Sequence, residues 1–322
     1  MLAAICAFAV TLVMLLLLLR TWLHGIALDQ PNHRSLHSQS VPRTGGIAVM
    51  SGVLASWLLV GSSWLLLILT IILLVVSVID DVRNLPVRWR LLAQLLVSAA
   101  VSVAMLPEYA WWVHVTATLA LTWMMNLYNF MDGSNGLAGG MALFGFGAYA
   151  IAAAAGQDVH LAILSASVMA ASFAFLLFNF HPARIFLGDG GSVPLGFLAG
   201  TMGLLGWQRD VWPLWFPLFV FSPFVVDASV TLIKRILRRE KVWQAHRSHY
   251  YQRLIQMGWS HRKTAIAEYL LMIAAGATAI YVARQPISIA LLAFVAWLIT
   301  YFTIMRIIDR AWTMKSCDAE FR

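Results

Sequence analysis

Cysteine is nearly missing from this 322-residue chain. Only Cys6 and Cys317 occur, one in the first apolar run and one in the tail, so no disulfide framework is encoded. Charge is scarce as well: Asp, Glu, Lys and Arg make up 11% of the residues, against about 25% in an ordinary soluble domain. Apolar residues fill the difference. They reach 61%, with a mean hydropathy of +0.79, which excludes a conventional soluble fold and indicates a polytopic membrane protein. The few charges are unbalanced, 22 Lys and Arg against 14 Asp and Glu, for a net charge of +8. The basic residues are dispersed near the ends of the apolar runs, where membrane topology accounts for them, so the excess does not point to nucleic acid. The first run, residues 2–19, has no basic stretch before it and no small-residue cleavage pattern after it. It reads as a retained span and not as a signal peptide.

Strand-like alternation is lacking too. Only helices and closed barrels satisfy the backbone in lipid, and these runs are continuous over lengths that cross hydrocarbon as helices. Such windows lie near residues 2–19, 45–61, 63–79, 90–106, 109–127, 137–155, 160–178, 193–208, 211–233, 264–283 and 286–306. The expected architecture is an all-α transmembrane helix bundle of about eleven spans. It forms one integral domain over residues 1–322, with a basic cytoplasmic loop at 234–263. Of the 22 Lys and Arg, all but Arg209 and Arg284 fall in the tail or in loops that follow odd-numbered spans. The positive-inside rule then places the N-terminus in the periplasm and the C-terminus in the cytoplasm. In that orientation four polar segments share the cytoplasmic side: SVIDD (77–81), NLYNFMDGSNGLAGG (126–140), NFHPARIFLGDGGS (179–192) and HRSHYYQRL (246–254). The charge count made no use of their Asn and Asp residues, so the agreement supports a single site.

Each segment has a bland reading beside a chemical one. Asp80 and Asp81 end an apolar run. A polar helix end would explain them, but paired carboxylates also suit a hard divalent cation, and Mg2+ needs only one or two carboxylates plus phosphates. Asn126, Asn129 and Asp132 recur every three residues, so a helical end would present them along one face. The alternative is a simple turn at Gly133 and Asn135-Gly136. Asp132 is thus a candidate for binding metal or substrate, with Asn126 and Asn129 as hydrogen-bonding partners. Around Asp189 the glycines allow backbone N–H groups to approach an anion, Ser192 is the expected N-cap and Pro194 lies in the first turn. A carboxylate amid glycines makes sense if a cation sits between it and a diphosphate. If helical, HRSHYYQR puts His246, His249, Tyr250 and Arg253 on one face. That face can neutralise phosphate charge, although a headgroup anchor is the commoner role of a basic loop. His33, Arg34, His37 and Arg43 in the first loop can line the mouth of an anion site or serve only topology. Asp227, within an apolar run, is a functional candidate or a structural ion-pair partner.

At these residues the chain resembles the polyprenyl-phosphate N-acetylhexosamine-1-phosphate transferase family (glycosyltransferase 4 family). This family includes the phospho-MurNAc-pentapeptide translocase and the enzymes that start O-antigen and enterobacterial common antigen synthesis. The resemblance runs from about residue 29 to 255. It rests on five ordered motifs: NHRSLH with PRTGG, the pair Asp80-Asp81, NLYNFMDG, NF-x-PAR-x-F-x-GD-x-GS and the late His-rich loop. It implies an Mg2+-dependent phosphoglycosyl transferase of the bacterial inner membrane, with its active site facing the cytoplasm. Such an enzyme moves a sugar-1-phosphate from a UDP-activated N-acetyl sugar onto undecaprenyl phosphate and releases UMP. By the family's pattern Asp189 is a metal ligand, and Asp80, Asp81 and Asp132 bind metal or assist catalysis. Asn179 and His246 or His249 help hold the nucleotide-sugar. Membrane lipids and a second copy of the chain in a homodimer complete the expected partners. Two departures, Asn135 where the family commonly has Asp and HRSH in place of a tighter histidine cluster, suggest the O-antigen-initiating branch. That branch accepts deoxy N-acetyl sugars such as UDP-N-acetylfucosamine or UDP-N-acetylquinovosamine, with UDP-GlcNAc still open. The alternative from another class is a transporter or lipid flippase, whose sites usually lie near the bilayer midplane on broken helices.

Overall fold

The computed structural model describes residues 1–20, 27–29, 40–242, 244 and 246–320, the side chains of 316–320 excepted. His33, Arg34 and His37 therefore lie outside the described residues. The chain is helical nearly throughout, as its apolar runs require. The helices are α1 (Leu2–Arg20), α2 (Gly45–Val60), α3 (Trp64–Arg83), α4 (Val87–Met105), α5 (Trp111–Phe130), α6 (Leu137–Ala155) and α7 (Val159–Asn179). They continue with α8 (Asp189–Gln208), α9 (Phe216–Val220), α10 (Ser222–Leu237), α11 (Tyr250–Gln256), α12 (His261–Val282) and α13 (Ile287–Glu320). A short antiparallel pair, β1 (Leu28–Asp29) and β2 (Val41–Pro42), joins the two sides of the first loop. The expectation of pure helix had no place for that pair.

Seven helices among the described residues are long and apolar enough to cross a membrane: α1, α3, α4, α6, α7, α12 and α13, while α2 is a shorter apolar helix. The expected spans at 109–127 and 193–208 form α5 and α8, which fall outside that set. The window 211–233 is not one helix. It breaks at Phe221 into α9 and α10, each with a proline in its first turn, Pro217 and Pro223. Proline has no N–H to continue a preceding helix and is preorganised to start one. α13 is longer than the window that suggested it, 34 residues, and carries Asp309 toward the basic loop.

Burial organises these helices around α8. It packs against α2, α3 and α5, and nearly all its side chains from Gly190 to Gly206 are buried. α7 packs against α1, α2 and α6. By contrast α13 leaves Leu292, Leu298 and Phe302 exposed, as a lipid-facing helix does. Asp227, buried in α10, has a structural partner. Its carboxylate accepts the N–H groups of Tyr250 at 2.9 Å and Tyr251 at 3.1 Å, so it caps α11 from another helix and fixes where that helix begins.

Candidate active site

The start of α8 is where three of the four polar segments meet, those at 77–81, 126–140 and 179–192. The loop before it lies along the chain leading into α2: Phe186 N–H donates to Pro42 O at 2.8 Å, and Gly45 and Gly46 N–H donate to Phe186 O and Leu187 O at 2.9 and 2.8 Å. Gly188 then turns with φ of +70°, a conformation glycine adopts at little cost. The helix begins at Asp189, three residues before the expected cap at Ser192. Asp81 makes that early start possible. Reaching across from α3, its carboxylate accepts the N–H groups of Asp189 at 3.1 Å and Gly190 at 2.9 Å, two donors that no helical partner satisfies.

Asp189 is held from two sides. Asn129 on α5 donates from Nδ2 to Asp189 Oδ1 at 2.7 Å and to Ser192 Oγ at 2.9 Å. Arg90 on α4 bridges Asp189 Oδ2 at 3.2 Å and Asp80 Oδ2 at 2.8 Å. Asp80 also accepts Leu85 N–H at 2.7 Å, so its two oxygens are committed to α4 and to the turn before it. Sequence reasoning absorbed Arg90 into the positive-inside count. Its i+10 placement after Asp80, with a tight turn between two helices, was the signal available.

A cavity of about 180 Å3 opens beside these groups, and its wall includes Arg43, Asn129, Asp132, Asn179 and Asp189. Five expected site residues thus share one space. Asp132 sits just past the end of α5, where its N–H donates to Asn129 O at 3.2 Å, so it follows the helical face of Asn126 and Asn129 without belonging to it. Burial, then repulsion from Asp189 and Asp81, holds the Asp132 carboxyl well above the ordinary carboxylate range. Arg43 is paired with Asp29, a further lining residue that the sequence did not single out. Asn179 accepts Gly136 N–H at 2.9 Å and donates to Ile185 O at 2.9 Å, tying the two loops of the cavity together.

Other expected site residues stand elsewhere. Asn126 donates to Gln94 Oε1 at 2.7 Å and to Thr122 O at 2.8 Å, joining α5 to α4. His246, His249, Tyr250 and Arg253 do not form one helical face, because α11 begins only at Tyr250, where Asp227 caps it. The two histidines remain close, with ring centroids 4.8 Å apart, but neither lines the cavity. His249 Nδ1 lies 3.3 Å from Asp227, and Arg253 donates to Asp309 at 2.9 Å. Burial, with His249 and Arg235 nearby, lowers the His246 pKa to about 4, so this imidazole is neutral at pH 7 and adds no positive charge.

No group of three His, Cys, Asp or Glu among the described residues forms a ready-made metal cage. Mg2+ does not require one. It takes one or two carboxylates and completes its shell with water and substrate phosphates. Asp132 and Asp189 offer such oxygens on one cavity wall. The donor set fits a hard divalent cation.

The fold and the cavity together define a multi-pass helical membrane protein with an acid-and-amide site built at helix ends. The model of glycosyl transferase family 4 matches residues 63–206, a stretch that contains Asp80, Asp81, Asn129, Asp132, Asn179 and Asp189. A probable undecaprenyl-phosphate N-acetylglucosaminyl 1-phosphate transferase of Bacillus subtilis (strain 168) is 31% identical over 265 residues, covering 76% of this chain and 74% of that protein. A decaprenyl-phosphate N-acetylglucosaminephosphotransferase of Mycolicibacterium smegmatis is 29% identical over 297 residues, covering 76% of this chain and 72% of its own length. An undecaprenyl-phosphate alpha-N-acetylglucosaminyl 1-phosphate transferase of Yersinia pestis is 25% identical over 262 residues, covering 74% and 72%. The chain belongs to glycosyl transferase family 4.

Proposed function

We propose that the protein transfers a sugar-1-phosphate from a UDP-activated N-acetylhexosamine, or its deoxy form, to undecaprenyl phosphate. The products are undecaprenyl-diphosphate-sugar and UMP, and the step begins a cell-envelope polysaccharide such as O-antigen. The observation that carries this reading is the meeting of Arg43, Asn129, Asp132 and Asp189 in one cavity at the ends of apolar helices, in a chain whose relatives are named for this chemistry.

In the reaction an oxygen of the lipid phosphate attacks the donor phosphorus that bears the sugar. The bond to the bridging oxygen of the diphosphate breaks, and UMP leaves with that oxygen. Both reactants are anions, so repulsion is the first obstacle. A phosphate monoester with a second pKa of about 6 is largely dianionic at pH 7 and needs little help from a base. Mg2+ held by Asp132 and Asp189 would supply the neutralising charge on the phosphates. Asn129 keeps the Asp189 carboxylate aimed, Asp81 anchors the helix that carries it, and Arg43 offers its guanidinium to the phosphates at the rim.

The acceptor's isoprenoid tail needs an apolar surface next to this site. A groove of about 770 Å3 along α5, α8, α9 and α10, lined by Leu121, Met124, Leu127, Trp207 and Leu218, provides one. α5 carries both features, with Leu127 in the groove and Asn129 on the cavity wall. In this reading α5, α8 and the broken α9–α10 unit also cross the bilayer of the inner membrane. The N-terminus is periplasmic and the site cytoplasmic.

The test is UMP release by the purified protein with undecaprenyl phosphate and a panel of UDP-N-acetyl sugars, with and without chelator. Asp189→Asn should lower Mg2+-dependent turnover about 100-fold or more, as loss of a central electrostatic group does, with membrane insertion intact. UMP release that is indifferent to chelator and to Asp189→Asn would refute the assignment.

A further inference from the structure

One part of the cavity wall plays no role in the chemistry above. His261 is the first residue of α12 and lines the cavity together with Ser134 and Asn135, which belong to the turn between α5 and α6. Ser134 Oγ and His261 Nδ1 share a hydrogen bond at 2.9 Å. The adjacent Asn135 Nδ2 lies 3.1 Å from Nδ1 of His181, in the loop that leads to α8. The two imidazoles stack nearly parallel, with an interplanar angle of 17° and centroids 5.8 Å apart. Two consecutive side chains of one turn thus pin two histidines contributed by different parts of the chain. Ser134 and Asn135 are themselves buried, so this is an ordered wall and not a surface patch.

Its chemistry differs from that of the rest of the cavity. Arg43 is the sole Lys or Arg among the described lining residues, and Asp29 pairs with it. The carboxylates Asp132 and Asp189 mark where cation and phosphate belong. The wall of Ser134, Asn135 and His261 offers hydroxyl, amide and imidazole groups, which together donate and accept hydrogen bonds and present flat ring faces. That inventory matches a planar, uncharged amide.

We propose that the Ser134–His261 and Asn135–His181 pairs form a specificity-determining wall that receives a planar amide of the nucleotide-sugar through His261. The inference rests on the donor assigned above and adds which residues select it. Two parts of such a donor carry this chemistry, the imide of the uracil ring and the N-acetyl group of the sugar, and the experiment separates them.

His261→Ala and His261→Phe, the latter keeping an aromatic ring against His181, are compared with the wild type in steady-state kinetics. Equilibrium binding of UMP and of N-acetylglucosamine 1-phosphate to the purified proteins is measured in parallel. Loss of one site-made hydrogen bond predicts a donor KM raised about tenfold in both variants, with kcat and acceptor KM within about twofold of wild type. If UMP affinity falls by the same factor, the wall reads the nucleobase. If UMP binds as before and the sugar phosphate weakens, it reads the acetamido group. Unchanged donor KM and unchanged binding of both ligands in the two variants would overturn the proposal. So would a fall in kcat and acceptor affinity in step with donor affinity, the signature of a general structural defect. His181→Phe, which lies one residue further from the cavity, should give a smaller rise in donor KM of the same kind if the stack orients His261. A wild-type protein that binds UMP but releases none from donor and acceptor would refute the transferase reading alone, leaving the binding comparison to judge the wall. A wild-type protein that binds neither ligand would refute the wall.

Discussion

Asp80 and Asp81 are neighbours in sequence, yet a helix separates their side chains by about 100° of rotation, and they meet different partners. Asp81 points to the N-terminus of α8 and caps it, while Asp80 faces Arg90 and the turn after α3. The sequence made both candidates and could not divide the roles, because the division depends on which helices lie against each face. His246 shows the same limit. Its residue type suggested a cation for phosphate, but burial and the neighbouring His249 and Arg235 push its pKa from 6.5 to about 4. The folded protein therefore binds fewer protons at this position than the unfolded chain between those values. The stabilisation is complete above about pH 6.5, and it is lost as pH falls toward about 4. Thermal unfolding in detergent should show a midpoint that declines on acidification across this window, and His246→Gln should flatten the decline. An identical acid slope in the variant would mean that other groups carry it.

At the scale of helices, the apolar periodicity made most of the elements legible, and their starts and stops were the part it left hidden. Three boundaries moved for nameable reasons. α8 starts early because Asp81 satisfies its first N–H groups, α11 starts late because Asp227 caps Tyr250 and Tyr251, and the ninth expected span breaks where Pro217 and Pro223 begin new helices. All three depend on a distant partner or on competing backbone geometry, and no window average contains that. The site was legible as a set of segments, because Asn129, Asp132, Asn179 and Asp189 do converge. The link through Arg90, the pair of Asp29 with Arg43 and the histidine wall were not, since each joins residues far apart in the chain. Convergence itself depends on how closely α2 approaches α8. A Cβ on Gly46 would collide with the backbone of Gly191, where no flexible side chain can give way. Gly46→Ala should therefore push the start of α8 out of register with Asp81 and Asn129, at an overpacking cost of about 1–3 kcal/mol. The measurement is a lowered thermal midpoint together with a loss of UMP release larger than the loss of folded protein. Full activity in a stable Gly46→Ala protein would show that this contact does not set the site.

For the molecule as a whole, the decisive quantity is where the bilayer lies relative to the cavity. The positively charged loops and the site occupy the same set of helix ends. Arg83, Arg88 and Arg90 flank the turn from α3 to α4, and Lys234, Arg235, Arg238 and Arg239 follow one another at and beyond the end of α10. At the other ends stand Glu108, between α4 and α5, and an ion pair of Arg209 with Asp158 at 3.0 Å. Anionic headgroups and the membrane potential both favour the basic ends on the cytoplasmic side, and the proposed donor is a soluble nucleotide that cannot cross hydrocarbon. These two arguments are independent, and both support the cytoplasmic site proposed above. In sealed inside-out vesicles, added UDP-sugar should be turned over at once, whereas right-side-out vesicles should become active only after permeabilisation. Cysteine substitutions carry the same test to single positions in a background lacking Cys6 and Cys317. A thiol at Glu108 should react with an impermeant reagent from the periplasmic side, and one at Arg247 only when the cytoplasmic face is opened. Labelling of both positions from one side would remove the shared orientation of loops and site, and with it the route by which a water-soluble donor and a lipid acceptor reach the same carboxylates.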